Sequence, residues 1–116
     1  LLESVAVRLA IIAKQLDLAE DVKIISSGGA LHQSGAWSQI IADALGRDLH
    51  IIDAAEVTAL GIAQMVHSAQ QGKIIMASTA YITAIYRANP NHFVTYEALQ
   101  AKMDSLLYLI LMIHCD

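Results

Sequence analysis

The sequence predicts an α/β fold in which two short parallel strands alternate with helices in the order strand, helix, strand, helix. Three observations carry this. Two brief β-branched runs, Val22–Ser27 and Leu49–Ile52, are each too short for a helix. The segment between them repeats its apolar residues at helical spacing. A helix joining two strands is the connection that parallel pairing requires.

The elements follow in order. Leu2, Val5, Leu9, Ile12 and Leu16 recur three and four residues apart. They define an amphipathic helix over about residues 1 to 17, with Arg8 and Lys14 off the stripe. That stripe begins at the first residue with no cap before it, which suggests a piece of a longer chain. The run 22–27 carries little polarity on either face, as in a sheet covered on both sides. Ser34 is a candidate N-cap for the next helix, whose face is Trp37, Ile40, Ile41, Ala44 and Leu45, and Gly46 is its stop signal. After the second strand, Asp53 and Glu56 are spaced as a capping box. The helix that follows should bury Val57, Leu60, Gly61, Met65 and Ala69. Residues 74–86 read equally as strand or as helix. Asn89-Pro90 opens a long final helix, with Phe93, Tyr96, Gln100, Met103, Leu107 and Ile110 on one face.

With 116 residues the chain forms one domain around a single core. Its apolar share is 56% and its mean hydropathy +0.51, above the usual apolar share of about 45–50%. Such a chain buries itself against a partner or belongs to something larger. No apolar run approaches the roughly 18 residues of a membrane span; the longest, Leu106–Ile113, points to contact rather than insertion. A single cysteine, Cys115, offers no disulfide and no zinc framework, in keeping with a cytoplasmic setting. The net charge of −4 argues against a nucleic-acid backbone as partner.

The chemistry-bearing residues gather at Val22–Arg47. A glycine pair, Gly28-Gly29, stands between strand and helix, where positive φ and close approach of a ligand to the main chain are both possible. Unpaired N–H groups at the following helix start favour an anion, although a plain tight turn has the same residues. Five histidines (His32, His50, His67, His92 and His114) are scattered without metal-ligand spacing. Ser26, Ser27 and Ser34 lack a nucleophile elbow. Trp37 falls on a core-facing position. Asp43, deep in a helix, and Asp53, a capping residue, are poor choices for a catalytic base.

The stretch GGALHQSGAWSQIIADALGR resembles the carboxyl-terminal signature of FGGY carbohydrate kinases, with Gly28, Gly29, Ser34, Trp37, Gln39, Ala42, Asp43, Gly46 and Arg47 in register. LLESVAVRLA, Glu56–Ala63 and Tyr86–Leu109 are similar to the flanking helices and tail of that family, so the likeness spans nearly the whole chain. The resemblance implies the carboxyl-terminal portion of an actin-like, ribonuclease H-like ATPase domain, residues 1–116. It implies ATP and magnesium as cofactors. Gly28 and Gly29 would admit the adenosine and its α-phosphate, Ala30 and Leu31 would flank the base, and Gln33 stands where a polar side chain contacts adenine. The magnesium ligands, the sugar pocket and the aspartate that accepts the sugar proton lie upstream in the family and have no counterpart in these residues. The chain alone is therefore expected to be inactive, because phosphoryl transfer depends on positioning by the whole cleft. The wording of the signature leans towards gluconate or xylulose kinases. The other class of function is a non-catalytic packing or oligomerisation module that keeps the fold. In either case the unpartnered stripes predict a homo-oligomer.

Overall fold

The computed structural model describes residues 1–52, 57–74 and 82–114. Its elements are α1 (Leu2–Gln15), β1 (Ile24–Ser26), α2 (Gly29–Gln33), α3 (Gly35–Leu45), β2 (Leu49–Ile52), α4 (Val57–Gln71), β3 (Ile82–Tyr86) and α5 (Pro90–His114). β1 and β2 are parallel, with Ile24 opposite Leu49 and Ser26 opposite Ile51. The βαβα order expected from the sequence holds. β3 adds a third strand, antiparallel to β2, so the described sheet is mixed and runs β1-β2-β3. This decides the ambiguity of residues 74–86 for its last five: the β-branched and aromatic run pairs as a strand.

The core lies on one face of the sheet. Leu49 and Ile51 point from β2 into a cluster with Ile41, Ala42 and Ala44 of α3 and Ala6 and Ala10 of α1. On the opposite face, Ile25 is 59% exposed and Ile85 is exposed as well. The expectation of a sheet covered on both sides is corrected accordingly. Ile24 and Ile25 put apolar side chains on both faces of β1, yet the described helices cover only one side of it.

α1 carries the largest correction. Its buried residues are Ala6, Val7, Ala10 and Ile11, while Leu2, Val5, Leu9, Ile12 and Leu16 face outwards. The helix has two apolar faces on nearly opposite sides. The one with small residues is turned inwards, where alanines of α1 meet Ala42 and Ala44. Short side chains on both helices let the backbones approach closely, and dispersion contacts grow with that closeness.

Helix ends follow local chemistry. The Ser34 hydroxyl accepts from the Trp37 N–H at 3.2 Å, a cap whose removal costs about 1 kcal/mol. Gly46 closes α3 at φ 63°, and the Arg47 N–H returns to the Ala42 carbonyl, the six-to-one bond of a Schellman ending. The Asn89 side chain accepts from the Asn91 N–H at 3.0 Å, and α5 begins at Pro90 as expected. Phe93, Tyr96, Gln100, Met103 and Leu107 form its less exposed face, whereas Ile110 is exposed. α4 corrects another expectation. Leu60, Met65 and Ala69 lie in solvent rather than in the core, with Met65 at 74%. The capping box at Asp53 and Glu56, and Cys115, lie outside the described residues. Among the described residues no helix is long and apolar enough to cross a membrane.

Candidate functional site

β1 ends at Ser26, and the chain turns through Ser27 and Gly28 directly into α2. Where the sequence predicts a loop, the chain forms the five-residue helix α2. Gly28 has φ 117° and ψ 150°, a region essentially closed to residues with a Cβ. Gly29 has an ordinary negative-side φ, so the special backbone position falls on the first glycine alone. A Cβ built on either glycine would meet nothing within 4 Å. The turn is therefore open, and its main chain is accessible from beyond the carboxyl end of β1, where ligands of such sheets bind.

The other candidate residues divide. Ala30 and Gln33 are exposed on α2. The Leu31 side chain packs against the core, and its carbonyl accepts from the Ser38 hydroxyl at 3.1 Å. His32 reaches across to β2, its Nε2 lying 2.8 Å from the Ile52 carbonyl oxygen. Trp37 packs against the core, as its helical position implied.

The second half of the signature is a set of fastenings. Asp43 is only 3% exposed. Its Oδ1 accepts from Gln39 Nε2 at 2.8 Å and from the Asn89 N–H at 2.9 Å, and its Oδ2 lies 2.8 Å from His92 Nδ1. Burial pushes this carboxyl up, but the Asn89 N–H, His92 and Gln39 outweigh it and hold it below the usual range. Gln39 Nε2 also donates to the Arg87 carbonyl at 2.8 Å. Asp43 thus clamps α3 to the start of α5, which accounts for a carboxylate deep in a helix without any catalytic role. Nearby, burial and the charges of Glu3 and Asp43 push the Tyr96 hydroxyl up. Arg47 Nη2 lies 2.8, 2.9 and 2.7 Å from the carbonyl oxygens of Ala19, Glu20 and Val22, its two N–H groups shared among the three. It anchors the connection into β1.

These roles are not legible in the sequence, because all partners of Asp43 and Arg47 except Gln39 lie 25 to 49 residues away. The signal available was the i, i+4 spacing of Gln39 and Asp43, one turn apart on one helix face.

A cavity of about 620 Å³ opens at the amino-terminal ends of β1 and β2, lined by Val22, Lys23, Arg47, Asp48 and His50 among others. It lies at the opposite end of the sheet from Gly28, and its Arg47 guanidinium is already committed to three carbonyls. Among the described residues no three of His, Cys, Asp or Glu stand close enough to hold a metal ion.

The mixed α/β arrangement of a three-stranded sheet and helices is consistent with an actin-like ATPase fold. The sequence model of the C-terminal domain of the FGGY family of carbohydrate kinases matches residues 1–69, more than half of the chain, and the chain belongs to that family. The structure is similar to the crystal structure of xylulose kinase from Rhodospirillum rubrum, with a TM-score of 0.64 and 19% sequence identity. That likeness covers 99% of this chain and 24% of the xylulose kinase. It therefore includes β3 and α5, which lie beyond the family match, and the chain spans about a quarter of the length of that protein. No curated protein sequence matches the chain.

Proposed function

We propose that this chain, residues 1–116, supplies the adenine-nucleotide side of the cleft in a kinase that phosphorylates a sugar or sugar acid, gluconate or xylulose being the first to try. The observation that carries this is the open Gly28 turn at the carboxyl end of a parallel strand, in a chain belonging to a carbohydrate-kinase family. Gly28 and Gly29 admit the adenosine and its α-phosphate, Ala30 and Leu31 flank the base, and Gln33 stands where a polar side chain contacts adenine. Magnesium and the proton-accepting aspartate belong to other parts of the kinase, and the setting is the cytoplasm. Titration with a non-hydrolysable ATP analogue, followed by amide chemical shifts, is the test. Shifts centred on residues 28–34 support the site; shifts centred on the histidines, with 28–34 unmoved, reject it. Coupled assays of the isolated chain with gluconate, xylulose and glycerol should stay at background.

A second reading has its own observation. Leu2, Val5, Leu9 and Ile12 are exposed along one face of α1, and Leu106, Leu109 and Ile113 along the end of α5. Apolar surface of this kind becomes an interface. On this reading the chain is a packing module that self-associates through α1 and α5. Light scattering over a wide dilution range should show a dimer or larger assembly, and Leu9→Glu should shift it towards monomer. A compact monomer at high concentration would remove the reading.

A further inference from the structure

We propose that His32 is a positioning residue that holds the Gly28–Gln33 backbone in its ligand-ready form by bonding α2 to the end of β2. The inference rests on the nucleotide reading of this turn.

The turn needs such a device. Gly28 has open space around it and the largest conformational freedom of any residue type. α2 has five residues, far fewer than the roughly 12 that an isolated helix needs to persist in water. Its own backbone bonds, among them those from the His32 N–H to the Gly28 carbonyl and from the Ser34 N–H to the Ala30 carbonyl, do not fix where the helix sits. Ser38, bonding to the Leu31 carbonyl, secures α2 to α3. His32 secures it to the sheet: Nε2 lies 2.8 Å from the carbonyl oxygen of Ile52, the last residue of β2. That contact joins the carboxyl ends of the two parallel strands, and so fixes the backbone of the turn relative to both. A carbonyl can only accept, so Nε2 carries the hydrogen, and it does so in the neutral tautomer and in the imidazolium alike.

His32→Ala removes the donor, while His32→Gln retains an amide N–H of similar reach. The experiment measures affinity for a non-hydrolysable ATP analogue by calorimetry, and amide hydrogen exchange of the nucleotide-free chain, for the wild type and both variants. His32→Ala should bind about fivefold more weakly, as expected for losing one such bond. Its Ser34 amide should exchange faster at an unchanged thermal midpoint, and His32→Gln should recover both properties. Wild-type affinity in His32→Ala, or Ser34 exchange unaltered by it, overturns the proposal. If the wild type binds no nucleotide but Ser34 exchange responds to both variants as described, the anchoring stands and the nucleotide reading falls.

Discussion

The two halves of one twenty-residue signature behave oppositely. From Gly28 to Gln33 the backbone is open, a Cβ added at either glycine would meet nothing within 4 Å, and three of the six residues are exposed glycine, alanine or glutamine. From Gln39 to Arg47 nearly every signature side chain is spent on the protein itself, with Asp43 and Arg47 each holding three partners. The contrast teaches that a motif shared by a kinase family need not be a list of ligand contacts. Its second half holds rigid the platform on which its first half can stay accessible, in line with binding residues being carried on loops set by a firm scaffold.

Substitutions in the two halves should therefore separate stability from binding. The largest stability effect is expected at Gly46, where φ is 63° and an added Cβ would lie 2.5 Å from the Phe93 ring. Gly46→Ala should destabilise by about 2–4 kcal/mol, combining backbone strain and overpacking. Chemical denaturation measures it, and a loss under half a kilocalorie would break the contrast.

Asp43→Ala should follow, at about 2–3 kcal/mol, because it leaves the part-buried Asn89 N–H without its acceptor and takes one of two acceptors from the Gln39 amide. The clamp also sets a pH signature. The folded state holds the Asp43 carboxyl below its unfolded value, so its contribution is full above that value, near 3.8. The contribution is lost as pH falls through the lower folded pKa. Wild-type stability should drop across that acid range more steeply than that of Asp43→Asn, which has no carboxylate to protonate. Parallel curves would remove Asp43 as the cause.

Arg47→Lys should cost about 1–2 kcal/mol although the charge is kept, since the lysine ammonium lies one atom nearer the backbone than Nη2 and falls short of the three carbonyls. The smallest stability effect is expected at Gly29. Gly29→Val meets open space and an unstrained φ, so thermal melting should change by no more than about 0.5 kcal/mol. Affinity for the ATP analogue should nevertheless fall at least tenfold, because the branched side chain occupies the approach to the backbone. A variant that binds like the wild type would erase the division between the halves.

Taken alone, the sequence determined what depends on near neighbours. Ser34 and Asn89 cap helices through bonds two or three residues long, Gly46 ends α3 through its own φ, and Pro90 starts α5 through its ring. The parallel pairing of β1 and β2 followed from the helical connection between them, and the position of the open turn from its glycines. Tertiary structure alone decided which face of α1 went inwards. Two apolar stripes competed, and the smaller side chains were buried because Ala42 and Ala44 of α3 offered a close-packing partner. It also placed β3 antiparallel beside β2, left Leu60 and Met65 of α4 in solvent, and turned Asp43 from an unexplained helical carboxylate into a clamp. The same holds for His32, whose acceptor is twenty residues away. Periodicity and turn chemistry report the preferences of a segment for itself; a bond across twenty to fifty residues exists only once the chain has brought its ends together.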